Sequence, residues 1–206
     1  MQLEIYHTYI DVTDTAATER LWKQLPPARR AMLVDRAPAA RAEGTALAAL
    51  LAYAVSAWGG GAAFQTVPSD VLTVPFAHWE TAKNGKPFPR GISTSHGVVF
   101  ASFSHSLGHL LVALCDRPLG ADIQVWDSPA LTPDRCSRLA ARITHPAETP
   151  PETPRETARL FAAKEAVLKL NGDGLRHAMS SVNTADFAVA FYEDLSDCIV
   201  AVATAR

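Results

Sequence analysis

Short runs in which apolar side chains alternate with polar ones, or follow one another without a break, occur at residues 3–10, 98–103, 110–115, 119–126, 187–191 and 199–203. A period of two, or a brief apolar run bounded by turn residues, predicts β-strands at each. Longer stretches at helical spacing fall at 29–58, with Pro38 as the place for a break, and at 131–143 and 154–170. The last has the best-marked ends: Thr153 as cap, Pro154 at the first helical position, Glu156 to close a capping box, then Asn171-Gly172 and Gly174 where a left-handed stop is needed. This order of strands and helices predicts an α+β fold. Between residues 59 and 97 the pattern is irregular, with Pro68, Pro75, Pro87 and Pro89 each opposing a central strand or mid-helix position. The crossing between two subdomains is expected there, giving halves at 1–95 and 96–206. A second Pro-rich stretch, 144–154, predicts an exposed loop.

Composition narrows the function classes. The 206 residues are 48% hydrophobic and 19% charged, which suits a packed chain rather than a disordered or fibrous one. A formal charge of -2 provides no basic field for a nucleic acid, so anion binding must be local. The longest apolar stretch, 45–58, ends at Gly59-Gly60-Gly61, short of the roughly 20 residues a bilayer requires, and reads as a buried helix. No secretory pattern opens the sequence, and Cys115, Cys136 and Cys198 fit neither a paired disulfide framework nor a zinc site. A cytoplasmic protein with no membrane partner is the expectation.

Chemistry concentrates in a few short segments. In residues 119–126 the strand period puts Asp122 and Gln124 on one face, about 7 Å apart, where they can converge on a hard cation or simply face solvent. On the capped helix Glu165 and Lys169 lie one turn apart beside Phe161 and Leu168, an arrangement open to a surface ion pair or to a site. Ser104-His105-Ser106 and Asn84-Gly85-Lys86-Pro87 sit where turns are expected and could hold phosphate oxygens or serve only as turns. The chain has only five lysines, and Lys86, Lys164 and Lys169 all lie in these segments. Point charges beside Gly, Ser and a cation site suit a magnesium-held diphosphate.

The ordered set resembles the 4'-phosphopantetheinyl transferases of the surfactin-synthetase-activating type, within the holo-carrier-protein synthase superfamily. Their pattern of N-G-K-P, F-x-x-S-H-S, G-x-D-[IV]-E, [WF]-x-x-K-E-[AS]-x-x-K and G-x-G-[LF] is echoed in residues 84–87, 103–106, 120–124, 161–169 and 172–175. Two departures stand out. Gln124 occupies the place of the strand's second acid, and Phe103 is adjacent to Ser104. Gln can offer a carbonyl oxygen to a metal but brings no charge.

The resemblance implies two similar α+β halves arranged as an intramolecular pseudo-dimer, monomeric, with the coenzyme A nucleotide contacted by the first half and the magnesium and catalytic motifs in the second. It implies transfer of 4'-phosphopantetheine from coenzyme A to a serine of an apo acyl or peptidyl carrier protein, releasing adenosine 3',5'-bisphosphate. Asp122, Gln124 and Glu165 would hold Mg²⁺, with Glu165 also taking the serine proton and Lys169 completing the catalytic pair. Lys86, Pro87, Ser104, His105, Lys164 and Lys169 would contact coenzyme A, as would Arg36 and Arg41 from the basic stretch that also holds Arg29 and Arg30. Arg135, Arg138 and Arg142, spaced to share one helical face, would receive the carrier. Two rival readings are a coenzyme A-binding module weakened by the Gln124 change and a Mg²⁺-dependent hydrolase of small diphosphates.

Overall fold

The computed structural model describes residues 1–61, 63–72, 79–81, 87–88, 90–128, 132–172 and 177–206. The chain divides into two compact units, Met1–Arg117 and Pro118–Arg206. This differs from the boundary expected near residue 95. The reason is hydrogen bonding: strands that follow residue 95 complete the sheet begun at the N-terminus.

Unit 1 contains β1 (Leu3–Tyr9), α1 (Thr15–Gln24), α2 (Pro27–Leu33), α3 (Pro38–Ala57), β2 (Phe64–Thr66), β3 (Ile92–Thr94), β4 (Gly97–Ser106) and β5 (His109–Cys115). Its sheet runs β2-β1-β5-β4-β3. β1 pairs antiparallel with β5, from Leu3 opposite Cys115 to Tyr9 opposite His109, and parallel with β2. Pro38 does break the predicted long helix, since it begins α3 where a missing amide donor costs nothing. α3 lays Leu47, Leu50, Leu51 and Ala54 into one core with Leu110, Val112 and Leu114 of β5. Its near-unbroken burial from Ala42 to Leu51 explains why it reads as apolar all round.

Unit 2 contains β6 (Leu119–Val125), α4 (Pro133–Ile143), α5 (Pro154–Asn171), β7 (Ala188–Tyr192) and β8 (Cys198–Thr204). Its antiparallel sheet has the order β6-β8-β7. α5 covers one face, packing Ala162, Ala166 and Val167 against Ile199, Ala201 and Ala203 of β8. The ends of α5 are those its sequence specifies. Thr153 Oγ1 accepts the Glu156 N–H, the Glu156 carboxylate accepts the Thr153 N–H, and Gly172 closes the helix at φ 78°.

Gly120 sets the distance between β6 and α5. A Cβ at this position would stand 1.9 Å from the Ala166 carbonyl oxygen and 2.4 Å from the Leu170 nitrogen, so only a hydrogen side chain lets strand and helix backbones approach this closely. Because residues two apart share a face, Asp122 and Gln124 lie on the same side of β6 as Gly120, towards α5.

Candidate active site

The glycine contact brings the second half of α5 over β6. Lys169 Nζ donates to Asp122 Oδ1 at 2.6 Å and to the Ala121 carbonyl oxygen at 3.1 Å. Gln124 Nε2 donates to Asp122 Oδ2 at 2.8 Å. Asp122 is only 2% exposed, which removes the bland reading of β6 as a half-solvated strand with its polar residues outward. A buried carboxylate requires such partners.

Glu165, one turn before Lys169, is half-buried. Burial pushes its carboxyl above the usual range and the charge of Asp122 pushes it further, against the opposing pull of Lys169. Two carboxylates thus share one ammonium. An oxygen-rich group with an excess negative charge suits a hard divalent cation, which would relieve the repulsion that raises Glu165. Asp122, Glu165 and the amide oxygen of Gln124 are the donors this segment offers to such an ion.

Other residues marked in the sequence are placed elsewhere. Lys164, expected to contact coenzyme A, is 0% exposed, and its ammonium donates to Glu148 and to the Val182 carbonyl. It therefore joins a different set of groups from its neighbour Glu165. Glu148 was missed: within the stretch read as an exposed loop, it turns inward and also accepts the His145 N–H at 2.9 Å, the Thr184 N–H at 2.9 Å and the Thr184 hydroxyl at 2.7 Å. Burial works to raise its carboxyl, but the hydrogen bonds from Lys164, Thr184 and His145 outweigh it and hold the group down at about 2. An inward carboxylate sixteen residues before a buried lysine leaves no local pattern to find.

Ser104, His105 and Ser106 belong to β4 itself, and only Leu107 and Gly108 form the turn to β5. The strand period sends Ser104 and His105 to opposite faces, so their side chains do not converge as a single phosphate cradle. Ser104 is buried, while His105 is exposed and its Nδ1 lies 2.9 Å from Glu43 Oε2.

In the basic stretch Arg36 is exposed and Arg41, also exposed, lies with its guanidinium 5.4 Å from the centroid of the Trp22 ring. Arg29 and Arg30 are partly buried, and Arg29 lies 4.2 Å over the Trp79 ring and donates to the Gly44 carbonyl. Burial and the neighbouring Arg36 charge push it down to about 10. Pro87 forms an antiparallel bridge with Thr81. Lys86 and the Gly174 segment lie outside the described residues.

A cavity of about 520 Å³ opens between the first half of α5 and β7, lined by residues that include Pro150, Leu160, Phe187 and Phe191. None of Asp122, Gln124, Glu165 or Lys169 lines it, so the polar group on β6 and α5 lies apart from this groove, with Asp122 buried and Gln124, Glu165 and Lys169 partly exposed.

Residues 118–194 match the family model described as the 4'-phosphopantetheinyl transferase superfamily. The match starts where unit 2 starts and takes in both β6 and α5. It supports that superfamily and a transferase of the phosphopantetheinyl transferase kind. No curated protein matches the chain. Among the described residues, no helix is long and apolar enough to cross a membrane.

Proposed function

We propose that the chain is a magnesium-dependent 4'-phosphopantetheinyl transferase of the surfactin-synthetase-activating type, a monomer whose two units act as an intramolecular pseudo-dimer and whose acceptor is an apo acyl or peptidyl carrier protein. The observation that carries this reading is the group of a buried Asp122 with the half-buried Glu165 and Lys169, held on one strand–helix pair inside the segment that matches the superfamily.

In the proposed reaction the carrier serine oxygen forms a bond to the phosphorus bearing pantetheine, the phosphoanhydride bond breaks, and adenosine 3',5'-bisphosphate leaves. A magnesium ion held by Asp122, Glu165 and Gln124 would supply charge neutralisation at the diphosphate. Glu165, whose carboxyl burial makes more basic than an exposed one, accepts the serine proton. Lys169 positions Asp122 and supplies a cation to phosphate oxygens. His105, Lys86, Arg36 and Arg41 are further proposed coenzyme A contacts. α4 turns Cys136, Ala140 and Ile143 inward and leaves Arg135, Arg138 and Arg142 exposed, a basic face suited to an acidic carrier helix.

One observation favours a second reading, a coenzyme A-binding module without transfer: both Asp122 oxygens are already engaged, one by the Gln124 amide. The test is intact-mass spectrometry of an apo carrier protein incubated with the chain, coenzyme A and Mg²⁺. Transfer adds about 340 Da to the carrier, the mass of the phosphopantetheine group moved onto its serine, and Glu165→Ala abolishes the gain. A carrier of unchanged mass, together with a coenzyme A-dependent rise in melting temperature, identifies the binding module. Coenzyme A cleaved with no carrier present identifies a hydrolase.

A further inference from the structure

β7 is the outer strand of the unit 2 sheet, and among the described residues it pairs with β8 alone. Its other edge presents amide and carbonyl groups of the kind by which a sheet recruits a further strand. α5 packs over β6 and β8, and the cavity of about 520 Å³ remains between its first half and β7. Phe187, Val189 and Phe191, two residues apart, share the face towards α5 and line this cavity while partly exposed. A fourth strand laid along β7 would send every second side chain to the same face, into the groove.

The groove is held in shape by groups beneath it. Glu148 accepts from the buried Lys164 ammonium and from the Thr184 N–H and hydroxyl. It thereby ties the wall at 149–151, which directly follows it, to the wall at 184–185. A groove ordered in advance costs a ligand less to enter.

Charge identifies the occupant. Asp186 precedes β7, and Glu193 and Asp194 follow it. Glu193 pairs with both Arg155 and Arg159 of α5, and Glu152 and Glu156 line the groove beside them. Carboxylates thus outnumber the arginines around this strand. A second copy of the chain fits poorly, because antiparallel pairing centred on Ala190 sets Asp186 of each copy opposite Asp194 of the other, and like charges in that position repel. We propose that the open edge of β7 binds an extended segment of a partner protein in which alternate apolar residues are bracketed by Lys or Arg. The apolar side chains enter the groove over Phe187, Val189 and Phe191, the backbone extends the β8–β7 ladder, and the basic ends meet Asp186 and Asp194. This surface does not depend on the transferase reading. Its partner is extended and basic, unlike the acidic carrier helix that α4 suits.

The probe is the capped peptide Arg-Thr-Thr-Val-Thr-Val-Thr-Val-Arg, added to the full chain. In the antiparallel register its valines stand opposite Phe191, Val189 and Phe187, and its arginines opposite Asp194 and Asp186. Hydrogen exchange at the outward amides among Ala188, Val189, Ala190 and Phe191 is the readout. At ten times the dissociation constant, exchange there is expected to slow about tenfold, and added salt is expected to weaken binding. The exposed double variant Asp186→Lys/Asp194→Lys is expected to bind about tenfold less tightly with unchanged circular dichroism. A peptide with serine in place of valine is expected to lose at least about tenfold, since nothing then fills the groove.

Unchanged exchange at these amides with peptide at about 1 mM, the weak end of specific recognition, overturns the proposal. So does equal protection by a peptide with Glu in place of both arginines. Protection that rises with protein concentration in the absence of peptide assigns the edge to a second copy, and protection by an apo carrier protein assigns it to the carrier; each overturns the choice of partner. None of these readouts involves coenzyme A or transfer, so they stand or fall apart from the proposed reaction.

Discussion

Lys169 Nζ touches both the side chain and the backbone of one strand segment, 2.6 Å from Asp122 Oδ1 and 3.1 Å from the Ala121 carbonyl. The ammonium thereby ties α5 to β6 while neutralising a carboxylate that water scarcely reaches. Lys169→Met removes the counter-charge and leaves Asp122 buried. We expect a loss of about 2–4 kcal/mol in urea unfolding, since breaking a buried pair strands its partner. The double variant Lys169→Met/Asp122→Asn is expected to recover part of that loss.

Glu165 gives the opposite outcome for stability. Its folded-state carboxyl is raised by burial and by Asp122, so it contributes stability when protonated at low pH and loses that contribution as pH rises through the folded value. At neutral pH the charge is a strain on the fold. Glu165→Gln is expected to raise Tm by about 1–3 °C without added metal, and to abolish transfer. A fall in Tm would contradict this account of the site.

Glu148 sets an acid limit for unit 2. Its carboxyl is held at about 2, below the unfolded value of about 4.3, so its contribution is complete above the unfolded value and is lost as pH falls towards 2. Thermal melts between pH 6 and 2 are expected to show the gap between wild type and Glu148→Gln narrowing through that window. At pH 7 Glu148→Gln leaves the buried Lys164 ammonium without a counter-charge, with the Val182 carbonyl still accepting from it, a loss of about 3–5 kcal/mol that Lys164→Met in the same chain should partly relieve.

Gln124→Glu restores a second negative charge beside Asp122. Without metal, the added repulsion is expected to lower Tm. With Mn²⁺ as the probe, calorimetry is expected to show binding about tenfold tighter, because ligand charge tunes the affinity of oxygen sites. Unchanged Mn²⁺ affinity would remove Gln124 from the proposed ligand set.

Gly120→Ala puts a methyl carbon where the Ala166 carbonyl already stands. Backbone on both sides cannot yield as a flexible side chain would. The expected cost exceeds about 3 kcal/mol, and hydrogen exchange should localise it to β6 and α5 before the sheet of unit 1 is affected.

Much of unit 2 was legible because its determinants are local. The strand period at 119–126 and the capping box before Pro154 act within a few residues, and both elements form where those signals fall. α1 escaped because Leu21 alone is buried among the described side chains of the helix, too few apolar positions to establish a helical period, although Asp14 caps it in the ordinary way. β2 and β3, three residues each, are too short for a period of two to register. The division at Arg117 depends on which strands pair, a long-range choice with no local signature. Site residues followed the same rule. Asp122, Glu165 and Lys169 could be marked as candidates because their spacing along single elements fits the motifs of the resemblance, whereas Glu148 and Glu43 are held by partners far along the chain, Lys164 and His105.

The register of β1 against β5 also bears on how the protein is made. Leu3 pairs with Cys115 and Tyr9 with His109, so β1, which leaves a ribosome about a hundred residues before β5, cannot form its principal ladder until β5 has emerged. Its Ile5 and Tyr6, fully buried in the finished sheet, spend that interval unshielded, and contacts between such distant segments close slowly. A fragment ending at residue 95 lacks both β4 and β5 and has no means of closing that sheet. Release from the ribosome at Arg117 supplies every strand of it, which makes premature termination upstream of β5 a route to aggregation and termination just after it a route to a folded half.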